Sequence, residues 1–573
     1  MTARTLAQTA QARFKALVLE IDTDYCANVF GTAPCTATGV QCYNTYSTCK
    51  DKPNYVKTTK TFKFCSRGVA SPAGETLRPY IINSAFAPTE IPVGGGLAPR
   101  SNITLTLADE TGTDIEADPY AATRSTPAAG TFWSRFLARN YNTAGRIARV
   151  RKGYITTPFD WATFQTELYV ITSITGPDNS GNIIVTLSDV SKPLDLNMLP
   201  VACSGTLQAD IKAIENLGIA LSGDATHIGL ASAASPTDNY YNGMEIYVTQ
   251  NTGAGQRKTI TAYVGATRTA TVSAWQVVPD TTSIYQVSAL NINVGSGNGA
   301  QYADPVATGL PQYVRIGNEI IQYDAIVGDV LAWSSSNDRA QFGSAAEDHK
   351  SGDGVQLCFA PVGKSVTDTI HRLINACGIA DGYIDLTGLA QEDTDWMGNA
   401  ALITACISAP EKASALLNEL LIALNIACWW DVVAQKMKFK ADMPQLSSSV
   451  TAITPDETIS KSMQITPLDT LRITRFALSF GQYSATDNKA EKKYYAYTDI
   501  YIDAGAESAN EYNAIVQAQI YSRWLSSGNQ LFANSFAARR VSRLRDAPKK
   551  LSFKLDPRNE VRSEEHTSEL QSL

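Results

Sequence analysis

Five of the ten cysteines fall between positions 26 and 65, as Cys26-x8-Cys35-x6-Cys42-x6-Cys49-x15-Cys65. Thiolates bind soft metals, and four of them complete a tetrahedral zinc site or a four-iron, four-sulfur cluster. The residues between them include Gly31, Pro34 and Gly39 and are otherwise mostly small and polar. Such a segment lacks the apolar side chains for a core of its own and needs a staple to become ordered. Three readings fit. A metal or iron–sulfur site uses four of the thiols. A disulfide framework requires an oxidising compartment and leaves one of the five unpaired. Unrelated core cysteines are the third, and the local density argues against them. The spacing matches no C-x2-C zinc ribbon. Cys203, Cys358, Cys377, Cys406 and Cys428 are scattered in apolar surroundings and read as buried core thiols.

Other groups that could do chemistry are sparse. His349 lies beside Glu347 and Asp348 and reads as part of a solvated polar loop, with a metal site as the sharper alternative. His371 falls in a helical pattern and reads as a surface or core residue, and His227 is isolated. Asp114, Glu116 and Asp118 alternate, which on a strand would put them on one face. They would suit a glycosidase acid–base pair, a calcium site or an exposed acidic rim. Glu392–Asp395 carries the same ambiguity. No G-x-S-x-G, H-E-x-x-H or Walker-type loop is present, and Gly94–Gly96 reads as a flexible turn. No catalytic residues are expected, and the chain is read as a non-enzyme.

The elements that must position these residues are mainly strands. Ser101–Ala108 and Asn182–Ser188 alternate apolar and polar residues, as half-buried strands do. Leu168–Ile174 is the expected hairpin partner of the second, across the turn Asp178–Gly181. Gly130–Tyr141 reads as the helical interruption of this β domain. Residues 5–19 read as a short amphipathic helix. A β module over 218–290 is expected to pair Met244–Thr249 with Arg257–Val264, and a second small β unit spans 313–359, with Gly317–Tyr323 its clearest strand. Ser288–Leu310 reads as a linker. Helices are expected at 365–378, capped by Ser365, at 410–424, and at about 508–526. Strands are expected at 427–431, 436–440 and 551–555. The fold class is multidomain α+β, rich in β structure. The units are 1–68, the helix and cysteine-rich segment; 69–204, a β domain; 205–300 and 301–362, inserted β modules; and 363–561, an α+β domain.

The net charge of −7 and the absence of a long basic stripe argue against sequence-specific nucleic-acid binding; Arg135–Lys152 and Arg539–Lys550 are the best basic stretches. No apolar run is long enough for a membrane span, and the N-terminus has no secretory h-region. Residues 562–572, RSEEHTSELQS, resemble the translation of a sequencing-library adapter. On that reading the true sequence stops near Val561 and the natural protein continues beyond it, His566 carries no information, and the remainder is still mildly acidic.

The stretch from Cys26 through Cys35-Thr-Ala-Thr-Gly39 to Cys42 and Cys49-Lys50 resembles the cysteine-rich segment of siphophage baseplate hub and tail tip proteins of the lambda minor-tail-protein-L type. Gene-transfer-agent tail hub proteins are looser relatives. Thr252–Tyr263 with Trp275, Tyr313–Tyr323 with His349–Asp353, and Tyr521–Lys554 are similar to β modules and late segments of phage structural proteins. The resemblance implies that Cys26, Cys35, Cys42 and Cys49 hold a 4Fe-4S cluster. Zinc is the alternative metal, and Cys65 could replace Cys42. The family that this segment resembles carries a Cys-Pro-Tyr-Thr-Gly-type stretch and a basic Arg-Phe-Gly element after the last Cys; here Pro34 precedes Cys35 instead of following it, and the basic element is missing. The resemblance further implies hub-type β domains forming part of a ring, a trimer around a DNA channel, and a place in the virion after synthesis in the bacterial cytoplasm. Its expected partners are the distal tail protein, the tape measure protein and a central fibre or tip protein. A tail-associated cell-wall hydrolase and a disulfide-stapled adhesin are the alternatives.

Overall fold

In a computed structural model of the chain, the described residues are 3–9, 14–72, 74–86, 91–111, 116–126, 128–398, 401–443, 462–487 and 490–553. Strand Lys15–Cys26 pairs antiparallel with both Lys57–Ser66 and Ile147–Tyr154. Around the ring, Arg78–Phe86, Asn102–Ala108, Asn182–Ser188 and Gln165–Thr175 complete a closed seven-stranded barrel. Period-two alternation sends Leu19, Ile21, Phe62, Phe64, Leu105, Val150 and Val185 into its core. Helix Phe132–Arg139 packs there too, started by a Thr131–Ser134 capping box. Trp133 stacks on Phe64 at 4.9 Å, and Phe136 meets Phe62 edge-on at 5.3 Å.

The same core continues into residues 363–553. Helices Val366–Asn375 and Ala413–Leu424 and strands Ile426–Asp431 and Arg475–Gln482 all contribute to it. The chain itself binds the two parts together. Gly96–Leu97 runs parallel to Ile426–Asp431, and Met198–Leu199 pairs with Glu411–Lys412. Between them, residues 203–357 form two separate cores. One lies in a seven-stranded sheet running from Asn216 to Ser288, the other in two three-stranded sheets spanning Asn291–Leu357.

The chain is thus β-rich, multidomain and α+β, as its pattern implies. The hairpin 165–188, the strands about Asn251–Gly255 and the Ser365-capped helix all form. Four expectations change. Residues 5–19 are not one helix: Ala3–Thr9 is helical, but from Lys15 the chain is barrel strand, because two neighbours supply ladder bonds. The unit expected over 1–68 is therefore not separate, since it contributes two of the barrel strands. Residues 517–521 form an edge strand parallel to Arg475–Gln482, and the helix expected over 508–526 instead begins at Gln530, after the Ser526–Asn529 capping box. Ser288–Leu310 is not a linker: Asn291–Asn293 pairs with Val330–Ala332, and Ile292 and Val294 are core residues. The last expected strand forms at Lys549–Ser552, while the adapter-like stretch 562–572 lies outside the described residues. No helix among the described residues is long and apolar enough to cross a membrane.

Because Trp133 fills the barrel's aromatic cluster, Trp133→Ala should destabilise the barrel by about 3–5 kcal/mol. The readout is the first unfolding transition in urea, followed by circular dichroism. An unchanged midpoint would mean that the helix does not support the barrel.

Candidate functional site

The cysteine segment is the connection between two neighbouring barrel strands. Cys26 ends the first and faces Lys57 at the start of the second. Between them the described elements are only two short 3-10 turns, Tyr46–Thr48 and Lys52–Asn54. The loop folds back on its own base. Cys26 N–H donates to the Asn44 carbonyl at 2.6 Å, and Ala27 N–H to that of Val56 at 2.8 Å. Asn44 sits at φ 56°, a left-handed conformation that Asn tolerates. Its side-chain oxygen accepts from the Cys42 thiol at 3.5 Å.

Residues distant in sequence hold the outer part of the loop. Arg124 donates to the carbonyls of Gln41 and Cys42 at 3.0 and 2.7 Å and forms an ion pair with buried Asp118. The guanidinium carbons of Arg124 and Arg139 each lie 4.0 Å from the centre of the Tyr43 ring. The Phe30 N–H donates to the Tyr120 hydroxyl at 2.8 Å, and Thr36 N–H to Asp51 at 2.7 Å. A segment without its own core is therefore fastened by cation–π and charge-assisted contacts.

All of the described cysteines are free thiols. Burial pushes the Cys42 thiol above its ordinary value, and the neighbouring Cys49, Cys35 and Cys26 push it further, against a hydrogen bond from Asn44. Tyr55 is pushed up to about 12 by burial, with Asp24, Cys26 and Cys49 adding to the effect. The four cysteines thus share one electrostatic neighbourhood. Cys65 is elsewhere: it packs with Ala16, Val18, Val69, Leu77 and Phe164, and burial alone lifts its thiol to about 11. The proposed exchange of Cys65 for Cys42 does not match this placement. Among the described residues, no group of three or more His, Cys, Asp or Glu stands close enough together to hold a metal ion. In number and kind, four free thiols on a loop with little regular structure fit a soft metal, but they are neighbours here and not a coordination shell.

The other candidate groups are engaged structurally. Asp114 lies outside the described residues. Residues 116–117 form a turn and not a strand, so the expected acidic face is absent there; Glu116 pairs with Arg78, and Asp118 with Arg124. Glu392 accepts from Lys440 and from the Ala441 N–H, and Asp393 caps the neighbouring helix at Thr367. His371 contacts Asp381 at 2.8 Å, and His227 contacts Asp224 at 3.0 Å. Gly94–Gly96 is no flexible turn: a Cβ on Gly95 would lie 2.8 Å from the Cα of Asn425. Of the basic stretches, Arg149 and Arg151 pair with Glu20, Lys152 with Glu167, and Arg543 with Asp442.

His349 is the clearest correction. It is buried, not solvated, and its Nε2 lies 2.8 Å from the buried Glu319, which also pairs with the buried Arg339. Backbone N–H groups of Ala340 and Glu347 donate to the same carboxylate. Burial would raise the Glu319 pKa, but the hydrogen bonds from His349 and Arg339 outweigh it and hold the carboxyl down at about 2. In the sequence, only an acid inside an alternating strand hints at this. Its partners lie 20 and 30 residues away.

No family model matches the chain, and no curated protein matches it. Among solved structures, a chain of the virion of a native gene transfer agent particle is similar at 14% identity, covering 52% of this chain and 86% of that one, with a TM-score of 0.19. A score that low does not establish a common fold.

Three outcomes test these assignments. After chelation and reduction, iodoacetamide at pH 8 should label Cys35 ahead of Cys42 and Cys65. Arg124→Ala should speed labelling of Cys42 several-fold without affecting Cys65; equal rates in the two proteins would mean that Arg124 does not hold the loop. Glu319 has a folded pKa below its unfolded value of about 4.5, so its stabilisation is complete above that pH and lost as pH falls toward 2. The difference corresponds to on the order of 3 kcal/mol. Glu319→Gln should flatten the acid unfolding profile in that window, and an unchanged profile would refute the assignment.

Proposed function

We propose that the chain is a structural subunit of a long-tailed phage tail tip, a baseplate hub component, whose cysteine loop is ordered by an iron–sulfur cluster. One observation supports this reading: the four cysteines that resemble the tail-tip segment all lie on the connection between two barrel strands, where Cys26, Cys35 and Cys49 act electrostatically on Cys42, whereas Cys65 lies in a separate apolar cluster. Cys26, Cys35, Cys42 and Cys49 would be the ligands. When bound, a cluster supplies a covalent cross-link among four points of a segment that has no core. Arg124 and Asp118 hold the Cys42 backbone, Asn44 orients the Cys26 end, and Tyr43 closes against two arginines.

On this reading the subunit belongs to the virion and assembles as a trimer between the tail tube and a central fibre or tip protein. Its neighbours are the distal tail and tape measure proteins. The mildly acidic charge suits a channel wall that lets DNA pass without holding it. The self-pairing of Arg149, Arg151 and Lys152 with barrel carboxylates supports the same view, because it removes three cations from the surface field.

Anaerobic purification of the full chain, followed by an optical spectrum and by iron and sulfide assays, tests the proposal. About four iron and four sulfide per chain are expected, with absorption near ~400 nm. Cys35→Ser should abolish both signals, and Cys65→Ser should leave them intact. Zinc in colourless protein would overturn the iron–sulfur assignment, and metal-free protein with oxidised cysteines would replace the hub reading with an extracellular adhesin.

A further inference from the structure

The chain crosses twice between the barrel-containing core and the inserted β units, and a thiol sits at each crossing. On the way out, Leu199 belongs to the main core and Cys203 packs against the inserted core. On the way back, Leu357 packs against the inserted core and Phe359 against the main one. The crossings are laced together, because Cys203 N–H donates to the Gln356 side-chain oxygen at 3.2 Å and the Gln356 amide donates to the Val201 carbonyl at 2.8 Å.

Cys358 stands between Leu357 and Phe359, at the changeover itself. It shares a small apolar cluster with Cys406 of the main body, with Tyr313 and with Ile320, and both cysteines are 4% exposed. Phe359 and Ile407 exchange both backbone hydrogen bonds, at 3.0 and 2.9 Å. Alternation about that closed pair puts Cys358 and Cys406 on the opposite face as diagonal neighbours. The Cys358 thiol donates to the Gln356 carbonyl at 3.9 Å, and Cys406 is its neighbour in the same apolar cluster. Burial first, and then Cys406, hold the Cys358 thiol well above its ordinary value, so little thiolate exists while the crossing is closed.

We propose that Cys358 and Cys406 are a disulfide-forming pair that locks the returning crossing to the main body once the protein meets an oxidising environment. With glutathione disulfide as the oxidant, the Cys358 thiolate attacks one sulfur and releases a glutathione thiolate, which takes up the proton that Cys358 lost. The Cys406 thiolate then displaces the second glutathione. One protein S–S bond forms, two thiol protons and two electrons leave the protein, and two glutathione thiols are produced. Diagonal strand neighbours stand about 7–8 Å apart, and a disulfide needs Cα atoms about 4.4–6.8 Å apart. Bond formation therefore draws the two strands together at the point where the units join. The reduced pair leaves that junction free to adjust, and the oxidised pair tightens it.

The test uses the full chain, purified with reductant, freed of it anaerobically and incubated with glutathione disulfide. Peptide mapping without reduction should recover a cross-linked peptide containing Cys358 and Cys406, and cleavage by added protease at residues 199–203 should slow. Cys406→Ala should abolish the cross-link and the protection and leave glutathione on Cys358. If the variant does not fold by circular dichroism, the map of the unmodified chain decides alone. Two results overturn the proposal: Cys358 linked to Cys203, or Cys358 and Cys406 both remaining thiols after Cys203 has taken up glutathione. Neither result depends on metal in the cysteine loop, so this inference and the tail-tip reading can fail separately.

Discussion

The pairing of Lys15–Cys26 with both Lys57–Ser66 and Ile147–Tyr154 closes the barrel, and most of the structure follows from that closure. A closed sheet has no free edge and can bury one full face. Here the buried face takes in a helix with three large aromatic residues, and its core merges with that of residues 363–553. Because two neighbouring strands must be joined between Cys26 and Lys57, the cysteine segment is obliged to be a loop. The barrel strands anchor its ends, and its middle is held by Arg124, Arg139 and Tyr120 rather than by a core of its own.

Charged side chains serve this architecture as internal fasteners. Glu20, Asp118, Glu319 and Arg523 are buried, and each is met by oppositely charged partners. Arg523, just after strand 517–521, joins Glu411 in strand 411–412 and Glu419 in helix 413–424. Removing one member of such a pair leaves a desolvated charge, which costs far more than an exposed ion pair contributes. This explains how a chain with only 18% charged residues spends many of them inside.

The inserted units follow a different rule. Each has its own apolar core, and they reach the main body through two short crossings and a few side contacts, such as the Ala485 N–H to the Phe342 carbonyl at 3.1 Å. Chemistry placed at such a junction acts on the relation between the units and not on the stability of either. The thiols of Cys203, Cys358 and Cys406 occupy that position.

Local patterning by itself determined the β-rich α+β class, the 165–188 hairpin, the Ser365-capped helix, the helix at 132–139 and the concentration of thiols in one core-poor segment. Each of these is encoded within about twenty residues by alternation, caps and turn residues. Tertiary structure decided the rest. Residues 15–26 became strand because two partners, one of them far along the chain, supply ladder bonds that a local helical stripe cannot outweigh. Residues 517–521 became strand for the same reason, through Arg475–Gln482. His349 reads as solvated from its acidic neighbours, yet Glu319 and Arg339 enclose it. Cys65 could be set apart from the other four only once the barrel had turned its side chain into a separate apolar cluster. Burial and long-range pairing depend on which strands meet, and no window of sequence contains both partners.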